Sequence, residues 1–151
     1  MSVVEKQARL IAELSIISDP QERLAVVTER ARRLEPFPSG LKGEDTRVPG
    51  CVSRVWLIGS MEGGRFRFLL DAESSVVKGL AGLLVEIYNG ASGSDILATE
   101  PTVLDSLHLA DHLSPTRKHG LAQVRLRIRQ IADELSNPKS PPNTGGNGFF
   151  P

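Results

Sequence analysis

One cysteine and three histidines hold the nucleophilic and ligating chemistry of this 151-residue chain: Cys51, His108, His112 and His119. Cys51 stands in RVPGCVSRVW, residues 47–56, behind Pro49 and Gly50 and ahead of an apolar run. That is loop punctuation, where chemistry is commoner than in the interior of a strand. A lone cysteine is often inert filler. Here, however, Gly50 permits a tight turn and close approach by a partner, and Arg47 and Arg54 lie near enough in sequence to favour a thiolate. One thiol can attack, carry an acyl or sulfur group, or be attacked. With no resolving cysteine in its own chain, it must finish its work on another molecule.

A cysteine hydrolase would need a histidine base. On the helix expected to start after Ser114, at about 100° per residue, His119 turns nearly opposite the face of Leu121, Val124 and Ile128. Arg117 points along that face and is the better candidate to reach a site. His108 and His112 have the i, i+4 spacing of a helical metal pair, but no HExxH glutamate accompanies them, and structural or solvated histidines are the plainer reading. Lys118, Arg125 and Arg129 form a basic stripe; a solvated flank is the plain reading, a docking surface for an acidic partner the alternative. No glycine-rich phosphate motif is present.

The elements that must position these residues are readable from periodicity. Val4, Ala8, Ile11 and Leu14 suggest the apolar stripe of a first helix ending near Ser18. Asp19 as N-cap, Pro20 at the first helical position and Glu22 in a capping-box-like place open a second, with Leu24, Val27, Ala31 and Leu34 on its apolar face. From Glu35 to Gly50 repeated Pro and Gly predict a long loop that delivers the chain to Cys51. Residues 52–60 and 65–71 read as a hairpin turning at Met61–Gly64, with Phe66, Phe68 and Leu70 on one face. Val76, Leu80, Leu83, Leu84 and Ile87, widened by Val77, Ala81 and Tyr88, predict a central buried helix. Gly79 and Gly82 lie on its remaining face, where another backbone should come close, and Gly90 ends it. Residues 91–113 are left open between strand and helix. Ser114 and Pro115 start a last helix running to about Leu135 through Leu121, Val124, Ile128 and Ile131. Residues 136–151, rich in Pro, Gly, Asn and Ser, are expected to be a disordered tail with Phe149 and Phe150 as its apolar handle.

Eighteen Lys and Arg balance eighteen Asp and Glu, so no overall field recommends nucleic acid or an anionic membrane. A single cysteine excludes an internal disulfide and a zinc finger, which points to a reducing compartment. Charges within the first 17 residues break any signal-peptide core, and no apolar run approaches the ~20 residues of a membrane span. The expectation is one cytoplasmic domain.

Three blocks in order, GCVSRVW (50–56), VVKGLAGLLVEIYNG (76–90) and HLSPTRKHGL (112–121), resemble the SufE family of sulfur-acceptor proteins in iron–sulfur cluster assembly. The similarity spans residues 1 to about 135. The resemblance implies an α+β fold with helices packed on an antiparallel sheet of about three strands. It implies that Cys51 takes sulfane sulfur from the persulfide of a cysteine desulfurase such as SufS and passes it to a scaffold such as SufB. The protein would stimulate the desulfurase, which uses pyridoxal phosphate, and bind no cofactor itself. It would be an accessory protein rather than an enzyme, with Gly50, Arg54, Glu73, Lys78 and Arg117 supporting Cys51 or the partner. Two other classes stay open: a regulator that acts by docking alone, and a cysteine-dependent hydrolase.

This chain departs from the family pattern GCQSQVW at Val52 and Arg54, which replace two glutamines and add a positive charge beside the thiol. Glu73 stands where the family often has Asp, and Thr46 where it usually has Asn; Lys78 and Arg117 match. Residues and resemblance converge on one exchange, in which a Cys51 thiolate attacks the outer sulfur of a donor persulfide. A second cysteine would discharge that cargo. Sheltering the thiol would limit loss but raise its pKa, so the loop of residues 35–50 is expected to be remodelled on docking.

Overall fold

The computed structural model describes residues 1–137. Two helices open the chain. α1 (Val3–Ser15) is capped by a reciprocal box in which the Ser2 hydroxyl accepts from the Glu5 amide and the Glu5 carboxylate accepts from the Ser2 amide. Its buried face is Val3, Gln7, Leu10 and Leu14; the expected stripe holds at Leu14 and in part at Ile11, but runs one position late in the first turns, where Val4 is 60% exposed. The reason is Gln7, a polar residue in a core position because its side-chain oxygen accepts from the amides of Thr102 and Val103. α2 (Pro20–Arg30) begins at an Asp19 cap that accepts from the Gln21 amide.

The hairpin forms as expected, with its first strand starting three residues and ending two residues later than expected, and its second ending one residue later. β1 (Val55–Glu62) pairs antiparallel with β2 (Arg65–Ala72), and only Gly63 and Gly64 turn the chain. Both have positive φ, +59° and +78°, the demand of a tight two-residue turn. The expected α+β fold with an antiparallel sheet on helices is observed, but the described residues hold two full strands rather than about three. A third segment contributes a single bridge, Arg47 to Trp56. There the Val48 amide donates to the Val55 carbonyl and the Leu57 amide to the Thr46 carbonyl. Pro49 lacks an amide proton, so the ladder stops just before the cysteine.

Helix α3 (Ser75–Tyr88) lies against β2 and α2, and ten of its fourteen residues are buried, as its wide apolar arc requires. Gly79 is where α2 crosses: a Cβ there would lie 2.9 Å from Thr28 Cα and 3.0 Å from the Val27 carbonyl oxygen. The open region 91–113 resolves into two short helices, α4 (Gly93–Ala98) and α5 (Val103–Ser106). The Tyr88 hydroxyl donates to the Thr99 carbonyl and ties α3 to their connection. The long α6 (Pro115–Ser136), capped by Ser114, closes over β1 and α3. The tail expected at 136–151 lies, beyond Asn137, outside the described residues. No described helix is long and apolar enough to cross a membrane.

Candidate functional site

Cys51 sits where the bridge segment, β1 and the start of α6 meet. Five residues, 49–53, lie between Val48, whose amide donates to the Val55 carbonyl, and Arg54, whose carbonyl accepts from the Glu73 amide. Gly50 makes the turn with φ +82°, a conformation that strains any residue with a Cβ. A Cβ there would also crowd Gln123 Cγ at 3.2 Å and His119 Nε2 at 3.3 Å. Glycine is required at this point on both counts. The turn folds Cys51 inward, 7% exposed, and leaves Val52 80% exposed. The thiol joins the main apolar cluster with Val48, Val55 and Val77. Its one polar contact is a weak S–H donation to the Gly120 carbonyl at 3.6 Å.

Burial pushes the Cys51 thiol above its ordinary pKa, and the positive charge of Arg47 opposes that rise. Arg47 reaches the cysteine from the N-terminal side, its guanidinium donating to the Cys51 carbonyl at 3.5 Å while lying 3.5 Å from Glu44. The thiol is therefore stored in its protonated form. Beside it opens a cleft of about 160 Å³ whose lining includes Cys51, Ser53, Val77, Thr116 and Arg117. The cleft leaves open space beside the Cys51 side chain.

Of the supporting residues, Arg117 lines the cleft as its helical phase suggested. Glu73 acts on the backbone: its carboxylate accepts from the Arg54 amide at 2.7 Å and its own amide donates to the Arg54 carbonyl at 2.9 Å. This fastens the C-terminal end of the cysteine loop to the end of β2. The Arg54 side chain is exposed, one residue beyond Ser53 of the cleft lining. Lys78 turns away from the thiol; it shares Asp71 with Lys42, at 3.2 and 2.5 Å. Lys42 also lies 4.8 Å over the Trp56 ring.

His119 stands over Gly50, although the helical wheel set it opposite the buried face. The wheel orients a side chain to the core, whereas the cysteine loop approaches α6 from outside it. No periodicity signals that crossing. His108 adopts a left-handed backbone (φ +55°) beyond the end of α5 and contacts Asp111, so it and His112 do not form a helical pair. No group of three or more metal-ligating side chains occurs among the described residues.

Residues 8–132 match the family described as SufE: Fe-S metabolism associated domain. An uncharacterised SufE-like protein of Synechocystis sp. is 27% identical over 130 residues, covering 85% of this chain and 82% of that one. A chloroplastic quinolinate synthase of Nicotiana tabacum is 32% identical over 103 residues, 67% of this chain but 14% of the synthase. The solution structure of a hypothetical protein from Thermus thermophilus superposes with a TM-score of 0.72 at 26% identity, covering 87% of this chain and 96% of that one.

Proposed function

The chain belongs to the SufE family of Fe–S metabolism associated domains, and from that premise we propose that it is a sulfur acceptor and carrier whose working atom is Cys51 Sγ. The observation that carries this reading is the pairing of one sheltered thiol with an adjoining void, in a chain that holds no second cysteine. The donor is a cysteine desulfurase of the SufS kind and the recipient an Fe–S scaffold of the SufB kind. The carrier itself needs no cofactor.

In the transfer, Cys51 Sγ loses its proton to solvent or to the departing donor thiolate and attacks the outer sulfur of the donor persulfide. One S–S bond forms at Cys51 as the donor's S–S bond breaks, so no external oxidant or reductant enters. Because the sheltered thiol is held protonated, the loop must open for the thiolate to form. The contacts around the loop support a narrower moving part than residues 35–50. Thr46 is buried and its hydroxyl donates to the Leu41 carbonyl at 2.7 Å, and Val48 is 1% exposed, whereas the span 49–53 lies between the fastened ends.

Incubating the protein with cysteine and a SufS-type desulfurase tests the reading by intact mass. The expected result is one added sulfur on the wild type and none on Cys51→Ser. An unchanged mass, or equal loading of the serine variant, would refute it. Retention of desulfurase stimulation by Cys51→Ala would favour docking without carriage.

A further inference from the structure

The basic stripe of α6 is largely neutralised within the molecule, because Arg125 and Arg129 both pair with Glu100. Arg30 is likewise matched by Glu86, and Lys42 and Lys78 by Asp71. Around the thiol the pattern inverts. Arg54 and Arg117 are exposed, and among the described residues their side chains hold neither an ion pair nor a hydrogen bond. The nearby Glu73 carboxylate is engaged by the Arg54 amide. Val52 lines the same cleft as Arg117 and stands 80% exposed.

We propose that the mouth of the Cys51 cleft docks an acidic protein surface with an apolar recess, the recess receiving Val52 and the acidic groups meeting Arg54 and Arg117. The inference rests on the sulfur-carrier reading and gives the donor's docking face its chemistry. A solitary exposed valine is ordinary on a protein surface. This one lines the cleft beside the thiol, however, and desolvating it within a contact stabilises docking where rim charges mainly steer. The cations arrive on a chain of zero net charge, so the attraction is local and directional. Nucleic acid fits less well, since no large aromatic is among the exposed hydrophobic side chains of the described residues to stack on a base. Val52 and Arg54, where the family pattern has neutral glutamines, thus set partner choice in this chain.

The test uses the desulfurase that loads Cys51 and follows initial loading rate against acceptor concentration. Arg54→Glu is expected to raise the half-saturating concentration about tenfold or more at low salt, with the gap closing near ~0.5 M salt as charges are screened. Arg54→Lys, which keeps the charge, should stay within about twofold. Val52→Asp should weaken docking and Val52→Ile preserve it. The inference is overturned if Arg54→Lys is as harmful as Arg54→Glu, if salt leaves the difference intact, or if a single-stranded RNA competes with the desulfurase. Should the wild type take no sulfur from any desulfurase, the carrier reading falls and this inference with it. If the wild type loads and Arg54→Glu saturates at the same concentration, only the docking inference fails.

Discussion

A thiol held in apolar surroundings gives up its proton reluctantly, and at Cys51 the positive charge of the Arg47 guanidinium opposes that effect. Alkylation of the native protein by iodoacetamide should therefore rise with pH about a midpoint above that of the unfolded chain, and Arg47→Ala should move it higher still. A midpoint at the unfolded value would mean the thiol is not sheltered in solution. The same shift acts on stability. A group whose folded pKa is raised contributes fully below its unfolded pKa and loses that contribution as pH rises through the folded value. Urea melts should thus show wild type losing ground to Cys51→Ala across the alkaline range, with the difference flat at neutral pH. At this scale the sequence was informative about one atom. A unique thiol after Pro-Gly marks itself. The Glu73 hydrogen bond to a backbone amide, and His119 above Gly50, depend on distant segments meeting, which no residue type announces.

Helices and strands were legible wherever one face is uniformly apolar, as along α3 and the hairpin, and misread where a polar side chain has a core task, as Gln7 does in α1. The expected close backbone at Gly79 is a case that magnitudes decide. Alanine would gain about 1 kcal/mol of helix propensity, but its Cβ would press on the α2 backbone at Thr28, and overpacking against backbone costs about 1–3 kcal/mol. Gly79→Ala should therefore destabilise on balance, by about 1 kcal/mol, in urea denaturation. Gly40→Ala, with open space around the added methyl, should change little. The clamp between β2 and the cysteine loop makes a second prediction. Glu73→Ala removes the acceptor of the Arg54 amide at an exposed site, so global stability should fall by no more than about 1 kcal/mol. Hydrogen exchange at residues 51–54 should accelerate in that variant, and an unchanged rate would show that the clamp does not hold the loop.

Across the whole molecule, storage and release of the thiol make opposite demands: a packed core must exclude water from Cys51, yet one part must open without the rest. The arrangement separates the two. Backbone hydrogen bonds from Val48 to Val55, Leu57 to Thr46 and Glu73 to Arg54 fence five residues off from the sheet, and the apolar cluster behind them spans α1, α3, α6 and both strands. Turning residues 49–53 outward exposes one cysteine side chain and little else, whereas unfolding exposes the full core. Because the denaturant dependence of an opening scales with the surface it exposes, the two events differ in slope as well as in free energy. Native-state hydrogen exchange in increasing urea should show amides at 50–53 exchanging by a nearly urea-independent opening of low free energy. Amides buried in α3 and the central strand positions should exchange with the full slope of global unfolding. A single common slope would mean that Cys51 is exposed only by unfolding the domain, a route too costly and unselective for a carrier that must load and unload on each partner it meets.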